Sequence, residues 1–426
     1  MLVVDEDIQN GILGCHNNSR VQTPNIDAFA ARAVRFDNAY CQMPECGPSR
    51  GAIFSGLRPQ ETGVYDNKAS FKKNAPAVPL MPGLFKENGY YTVGSGKLLH
   101  PPDNQDPHLW SHLIRNPVEW PEKKEGEWRN FSSGLIKWAW WWSPDCEDNA
   151  LPDGRRAEDV CTFLESYDRK EPFFLGVGFG KPHDPFVAPK RYFDLYPLDL
   201  LELPGDDEPK DASPIHPANY NPNFGKIFSR QDEREYLRSR YACMTYVDSQ
   251  FGKVMDCVEK EGLFSDTVIV FMGDHGYHHG DHGGHWGKWT LYETSLKAPL
   301  IVYDPERAKG KTGVCQGAVE FIDLFPTLCE LCGVPKPKQL SGKSLIPLLS
   351  DPKREWNHPA FGAWRSQNGR AVRLQRWKYM EWEKGRAGRA LFDLETDPNE
   401  YYNLADKKEF VDRVQEMAQL IENTYY

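Results

Sequence analysis

The sequence predicts an α/β protein built on a large, mostly parallel sheet flanked by helices, followed by a small antiparallel subdomain. Short, nearly continuous apolar runs recur along the chain, of the kind buried on both faces of a parallel sheet. Amphipathic helical stretches lie between them, and strand alternating with helix is the pattern of parallel pairing. From about residue 355 the texture changes to short aromatic and β-branched segments separated by turn signals. The expected division is a large unit at 1–354 and a subdomain of small antiparallel sheet plus helix at 355–426.

The chain opens on Leu2-Val3-Val4 and then turns acidic at Asp5-Glu6-Asp7, as when a buried parallel strand delivers carboxylates to the C-terminal edge of a sheet. Thr23-Pro24 followed by Ile26, Phe29, Ala30, Ala33 and Val34 predicts a capped amphipathic helix with Pro at its first position. Cys46-Gly47-Pro48-Ser49-Arg50 lies between a turn-rich segment and the apolar Ile53-Phe54, which puts Cys46 at or near a helix N-terminus. Such a position favours anions and activates thiols. Taken alone, Cys46 would read as a buried structural cysteine.

Further strands are expected at Tyr90–Val93, Phe173–Val177, Thr267–Met272 and Leu300–Tyr303. The clearest helix runs from about Glu233 to Lys260, with Met244, Val247, Phe251, Val254, Met255 and Val258 in one stripe and Gly262 ending it. The segment 197–225, rich in Pro, Asp and Asn, reads as a long surface loop. Ala371–Leu374 and Trp377–Met380 read as strands of the small sheet, ahead of a last helix.

The 426 residues and 40% hydrophobic content suffice for one large core, or for one large and one small domain. A formal net charge of -10 argues against nucleic acid or a general polyanion affinity, so an anionic substrate must meet its cations locally. No apolar run approaches the roughly 20 residues that cross a bilayer, so no membrane partner is expected. The compartment stays open, periplasmic or extracellular if a leader was removed and cytoplasmic if Met1 is the native start. The ten cysteines form no dense framework, and Cys329/Cys332 lacks a second pair at zinc spacing, so an apolar helical face is expected there.

Two clusters invite sharper readings. Trp138, Trp140, Trp141 and Trp142 could stack on sugar faces, although such density more often marks core or an interface. Between Gly276 and Lys288 the histidines His278, His279, His282 and His285 suggest zinc. Nothing supplies a fixed helical ligand spacing, however, so the expectation is a glycine-rich loop that delivers Lys288 and lines the pocket.

Cys46-Gly47-Pro48-Ser49-Arg50, followed by Ser55-Gly56-Leu57-Arg58-Pro59, resembles the maturation and active-site signature of the formylglycine-dependent (type I) sulfatase family. Thr23-Pro24-Asn25-Ile26-Asp27 is similar to the family's first helix. Gly94-Ser95-Gly96-Lys97-Leu98-Leu99-His100, Lys181-Pro182-His183, Gly273-Asp274-His275-Gly276 and Leu391-Phe392-Asp393-Leu394-Glu395-Thr396-Asp397-Pro398 recur in the family's order. Lys97-Leu98-Leu99-His100-Pro101 and Lys181-Pro182-His183-Asp184-Pro185-Phe186 resemble the iduronate-2-sulfatase-like branch.

The resemblance implies an alkaline-phosphatase-like fold and hydrolysis of a sulfate ester, most often on a sulfated mono-, oligo- or polysaccharide. A phosphodiesterase or phosphonate monoester hydrolase of the same superfamily is the alternative, and a non-catalytic sugar-binding or metal-sensing protein a more distant one. It also implies that Cys46 becomes formylglycine, so that one hydroxyl of its hydrate attacks sulfur and the other later expels sulfate. The partner for that conversion would be a formylglycine-generating or anaerobic sulfatase-maturating enzyme.

By the same resemblance, Arg50 reaches back to the diol, Lys97 and Lys288 clamp sulfate, His100 takes a proton from the diol, and His183 lies near the leaving oxygen. Tyr277 joins Lys97, His183 and Lys288 as a substrate contact. Asp274 and His275, with two of Asp5, Glu6 and Asp7, would hold calcium in preference to magnesium. The family normally reads Asp-Asp where this chain has Asp5-Glu6-Asp7, which leaves that pair open. The histidine-rich loop is one residue longer than its family counterpart.

Overall fold

The computed structural model describes residues 1–426 apart from 101–102, 104–105, 116–125, 132–138, 169, 204–227, 308–310 and 365–367. Pro101, Trp138 and most of the expected loop at 197–225 lie outside the described residues.

Eight strands form the main sheet, namely β1 (Leu2–Asp5), β2 (Val34–Phe36), β4 (Tyr91–Gly96), β5 (His112–Ile114), β8 (Phe173–Gly178), β10 (Ile269–Gly273), β13 (Leu300–Tyr303) and β14 (Gly313–Cys315). Their order is β14-β2-β13-β10-β1-β8-β4-β5. The pairings of β13 with β10 and with β2 are antiparallel, and the rest are parallel. A mostly parallel but mixed sheet results. Smaller sheets pair β3 (Ala39–Tyr40) with β15 (Val319–Glu320), β6 (Glu127–Asn130) and β9 (Phe186–Val187) with β7 (Trp140–Ser143), and β11 (His278–Gly280) with β12 (His285–Gly287). The antiparallel C-terminal sheet consists of β16 (Ala360–Trp364), β17 (Gly369–Leu374), β18 (Trp377–Trp382) and β19 (Gly388–Asp393).

The apolar runs are explained by where they lie. All four residues of β1 are buried between β8 and β10, with Leu2 and Val4 in the core on one face and Val3 in the core on the other. The second face is covered by the helix Arg230–Lys260, whose predicted stripe joins that core. In the C-terminal part, Val414, Met417 and Ile421 of the last helix, Val411–Tyr425, pack on Phe361, Val372, Tyr379 and Leu391.

The structure corrects some expectations and agrees with others. The first helix, α1 (Pro24–Ala30), stops short of Val34, which begins β2. Thr23 precedes it without making a side-chain cap; its Oγ1 accepts from the Gly14 amide at 2.8 Å and donates to Asp27 at 3.1 Å. Trp141 and Trp142 are buried, at 6% and 1% exposure, and the Trp141 indole donates to Glu235 at 3.1 Å, so these rings belong to the core. Cys161 and Cys257, 96 residues apart, form a disulfide between the helices Pro152–Ser166 and Arg230–Lys260. Cys329 is a free, buried residue of the helix Leu324–Leu331, with Cys332 just beyond it. No described helix is long and apolar enough to cross a membrane.

Candidate active site

The C-terminal ends of β1, β4, β8 and β10 share one edge of the sheet, and the segments leaving them bring Glu6, Asp7, Lys97, His183, Asp274 and His275 together. Asp5 is opposite Gly273 in register, so Glu6-Asp7 and Asp274-His275 emerge side by side. The Asp274 amide donates to the Asp5 carbonyl at 3.1 Å, and the Asp7 amide donates to Asp274 Oδ1 at 3.0 Å. Gly96 and Gly178 allow the next pair of strand ends to close. A Cβ on Gly178 would fall 2.0 Å from the Lys97 carbonyl oxygen, so only glycine lets that turn seat Lys97 here.

Cys46 is the first residue of the helix α2 (Cys46–Ser55), with Glu45 in extended conformation before it. Its Sγ is 3.1 Å from Lys288 Nζ and 3.4 Å from His275 Nε2, and it is buried. Burial alone would raise the thiol, but Lys288 and then Lys97 bring it down to about 6. Cations converge on Cys46 even though the molecule as a whole is acidic.

Arg50, one turn along α2, is fully buried. Its Nε donates to Asp274 Oδ2 at 2.9 Å, and its Nη1 donates to the carbonyls of Lys97 and of Leu98, the latter at 3.2 Å. It thereby ties α2 to the ends of β4 and β10. Of the three acidic residues after β1, Glu6 pairs with Lys97 and lies 3.9 Å from Arg50 Nη2. Asp7 Oδ1 accepts from Lys288 Nζ at 2.7 Å and lies 3.3 Å from His275 Nε2. The Asp5 carboxylate is buried and takes no hydrogen bond among the described residues. Burial, and next the charge of Asp153, push it well above the usual carboxylate range.

His183 is partly exposed, its Nδ1 2.6 Å from the Asp184 carbonyl and its Nε2 3.9 Å from Asp7 Oδ2. Burial would lower it, but Asp7, Glu6 and Asp184 together raise it to about 10. His100 is half-buried beyond the end of β4, its carbonyl accepting from the Asp103 amide at 3.1 Å. Tyr277 is buried; its hydroxyl shares a 2.5 Å hydrogen bond with Tyr236, and the Arg240 guanidinium lies 3.9 Å over its ring.

Arg240 is the residue that sequence reasoning missed. From the helix Arg230–Lys260 it donates to the Asp7 carbonyl at 2.5 Å, the Pro182 carbonyl at 3.2 Å and His279 Nε2 at 2.7 Å. It therefore links the segments that carry Asp7 and His183. One signal was available, because Arg240 falls four residues before Met244, in line with that helix's apolar stripe.

As a cation site the donor set is coherent. Asp7, Cys46 and His275 offer ligand atoms within 4.8 Å of one another, as do Glu6, Cys46 and His183. Asp7 Oδ2 is buried and accepts no hydrogen bond among the described residues, an orphaned oxygen of the kind a hard cation satisfies.

Comparison with known proteins identifies the family and the fold. Residues 1–334 match the family model described as Sulfatase, and residues 280–425 match the one described as N-sulphoglucosamine sulphohydrolase, C-terminal. A sulfatase of Formosa agariphila is 31% identical over 100% of this chain and 86% of its own length. The iduronate 2-sulfatase of Mus musculus is 30% identical over 79% of this chain and 69% of its own length. Among solved structures, a 2-O GAG sulfatase superposes with a TM-score of 0.77 at 25% identity, covering 99% of this chain and 91% of that one. The phosphonate monoester hydrolase of Agrobacterium radiobacter, at 21% identity and a TM-score of 0.81 over 99% of this chain and 94% of that one, shares the fold. On these matches the chain belongs to the type I sulfatase family and is a sulfuric ester hydrolase.

Proposed function

We propose that this enzyme hydrolyses a sulfate ester on a saccharide, with Cys46 converted to formylglycine and calcium held by Glu6, Asp7, Asp274 and His275. The observation that carries the reading is the buried Cys46 at the start of α2, with Lys288 Nζ 3.1 Å from its sulfur beside two carboxylate-bearing strand ends. A saccharide is supported by the relatives, which include an iduronate 2-sulfatase and a 2-O GAG sulfatase.

In this reading the hydrated aldehyde supplies the attacking hydroxyl, and the cation, bound by hard oxygens, supplies positive charge to the sulfate oxygens. The chain's own residues do the rest. Lys97 and Lys288 bind sulfate oxygens as compact charges. Arg50 orients Asp274 through its 2.9 Å bond and fixes the start of α2 against β4. His183 Nε2, beside Asp7 and Glu6, holds a proton for the leaving alcohol oxygen. His100 accepts the proton of the attacking hydroxyl, and Tyr277 forms the wall behind Arg240. Conversion of Cys46 calls for a formylglycine-generating or anaerobic sulfatase-maturating enzyme as partner.

The test is a parallel assay on defined sulfated saccharides, including 2-O-sulfated uronic acids, together with phosphate diesters and phosphonates. Turnover of a sulfated saccharide above all phosphorus esters is expected. Preferred turnover of a phosphodiester or phosphonate overturns the reading.

A further inference from the structure

The hairpin that ends at Lys288 carries a second cluster of metal-type donors, separate from the Cys46 site. His278 Nδ1 and His282 Nδ1 both lie 2.6 Å from the same oxygen, Asp281 Oδ2. One ligand atom from each residue falls within 4.8 Å of the others. Helical spacing does not bring them together. His278 is on β11, and the turn that follows uses positive φ at Gly280 (96°), His282 (52°) and Gly283 (77°) to fold His282 back over it. A non-glycine residue in the left-handed region is held there only when its surroundings require it.

The surroundings prepare these groups as ligands. His278 Nε2 is 2.8 Å from Thr290 Oγ1; without an ion the 2.6 Å contacts are Nδ1–H groups of His278 and His282 donating to Asp281 Oδ2, and an ion taking the place of those protons would shift each ring to its other tautomer, with His278 Nε2–H then donating to the hydroxyl. That is the outer partner and tautomer a metal-bound histidine needs. The His282 ring is buried, and its Nε2 meets no hydrogen-bond partner among the described residues, so the ring is held on its polar side only through Nδ1. Asp281 Oδ1 accepts the His279 amide at 2.9 Å, which leaves Oδ2 as the shared atom. Asp281 and His282 also line a cavity of about 280 Å³ with Gln9, Asn18, Arg20 and Tyr401, which supplies an entry path and a place for water.

We infer that His278 Nδ1, Asp281 Oδ2 and His282 Nδ1 bind one zinc-class divalent ion, with the fourth position open to this cavity. Two imidazoles and one carboxylate select zinc or a similar first-row ion over calcium, which takes an oxygen shell. Ligand bonds of about 2.0 Å at tetrahedral angles set donor spacings of about 3.3 Å. The donors must therefore open by less than about 1 Å from their present 2.6 Å, within a turn flanked by Gly280, Gly283 and Gly284. The ion would clamp β11 to the turn and so brace the hairpin whose far end, β12, leads into Lys288.

The experiment uses the full chain, stripped with chelator and dialysed against excess calcium with one equivalent of zinc per chain, so that hard-cation sites are filled by calcium. Metal content per chain is read by mass spectrometry for the wild type, the double variant His278→Ala/His282→Ala and Asp7→Asn. The expected result is about one zinc per chain in the wild type and in Asp7→Asn, falling below about 0.1 in the double variant. X-ray absorption at the zinc edge of the wild type, which needs no variant to fold, should show two imidazoles and oxygen ligands. Wild type without stoichiometric zinc, a double variant that keeps it, loss of zinc on Asp7→Asn, or a sulfur-containing shell overturns the proposal.

Discussion

Arg240 sits fully buried in mid-helix, surrounded by two carbonyls, one imidazole nitrogen and a tyrosine ring, with no carboxylate in ion-pair reach among the described residues. A buried cation without an acid partner is costly unless its hydrogen bonds are satisfied, and each of its acceptors belongs to a segment that shapes the Cys46 site. Its geometry makes it a positioning residue for Asp7. Arg240→Lys keeps the charge but cannot span three acceptors. The expected outcome is a loss of about 10- to 100-fold in kcat/KM together with a higher calcium requirement. An unchanged calcium dependence alongside a lowered Tm would reduce Arg240 to a structural part. At this scale, residues inside compact motifs were legible, because Cys46 and Arg50 fall one helical turn apart and Asp274 and His275 are adjacent. Arg240 was not, since its partners lie at residues 7, 182 and 279. Which of Asp5, Glu6 and Asp7 lie beside the Cys46 site was not legible in the sequence either. Only the register of β1 on β10 shows Asp7 beside His275 and Asp5 turned into the interior.

The junction of α1 with the long helix Arg230–Lys260 shows how an element is ended by something far away. The first-turn amides of Asn25 and Ile26, unpaired within α1, donate to Asp248 at 3.3 and 2.8 Å, and the Asn25 side chain adds a 2.7 Å bond. Thr23 looked like the cap because the local pattern favours it, but its hydroxyl is engaged by Gly14 and Asp27, and a cap supplied from another helix leaves no local mark. Burial, opposed by these donors, raises Asp248 to about 6. The sign follows from linkage. A carboxyl whose folded value exceeds its unfolded one contributes stability at low pH and loses it as pH rises through about 6. Between about pH 4 and 7 the wild type should therefore lose up to about 3 kcal/mol relative to Asp248→Asn in unfolding free energy. Parallel pH curves for the two proteins would contradict this. The strands themselves were the most legible elements, since burial on both faces writes a continuous apolar run. The Cys161–Cys257 bridge was the least, because its pairing depends on how two helices cross.

Across the whole molecule, buried charge joins the C-terminal sheet to the larger body. Lys378 of β18, 1% exposed, donates to Glu293 Oε1 at 2.8 Å and lies 3.7 Å from Glu400 Oε1, while the Tyr40 hydroxyl donates to Glu293 Oε2 at 2.6 Å. Arg58, next to α2, donates to both oxygens of Glu320, one of which also accepts the Phe361 amide from β16 at 3.0 Å. We propose that 355–426 is a subdomain by texture but not a separate folding unit. Lys378→Ala leaves Glu400 buried without its cation and Glu293 with only Lys297, 3.6 Å away, and should cost about 3–5 kcal/mol in one cooperative denaturant transition. A second, separate transition for the C-terminal part would contradict the interlock. The acidic net charge and the cation-rich Cys46 site are reconciled at the same scale, because the positive charges are gathered at one sheet edge. Everything assigned to that edge depends on the chemical state of Cys46, so mass spectrometry of the Cys46 peptide from catalytically active protein is the most direct test. The peptide should carry an aldehyde or its hydrate at position 46, and an unmodified thiol in a fully active preparation would contradict the mechanism.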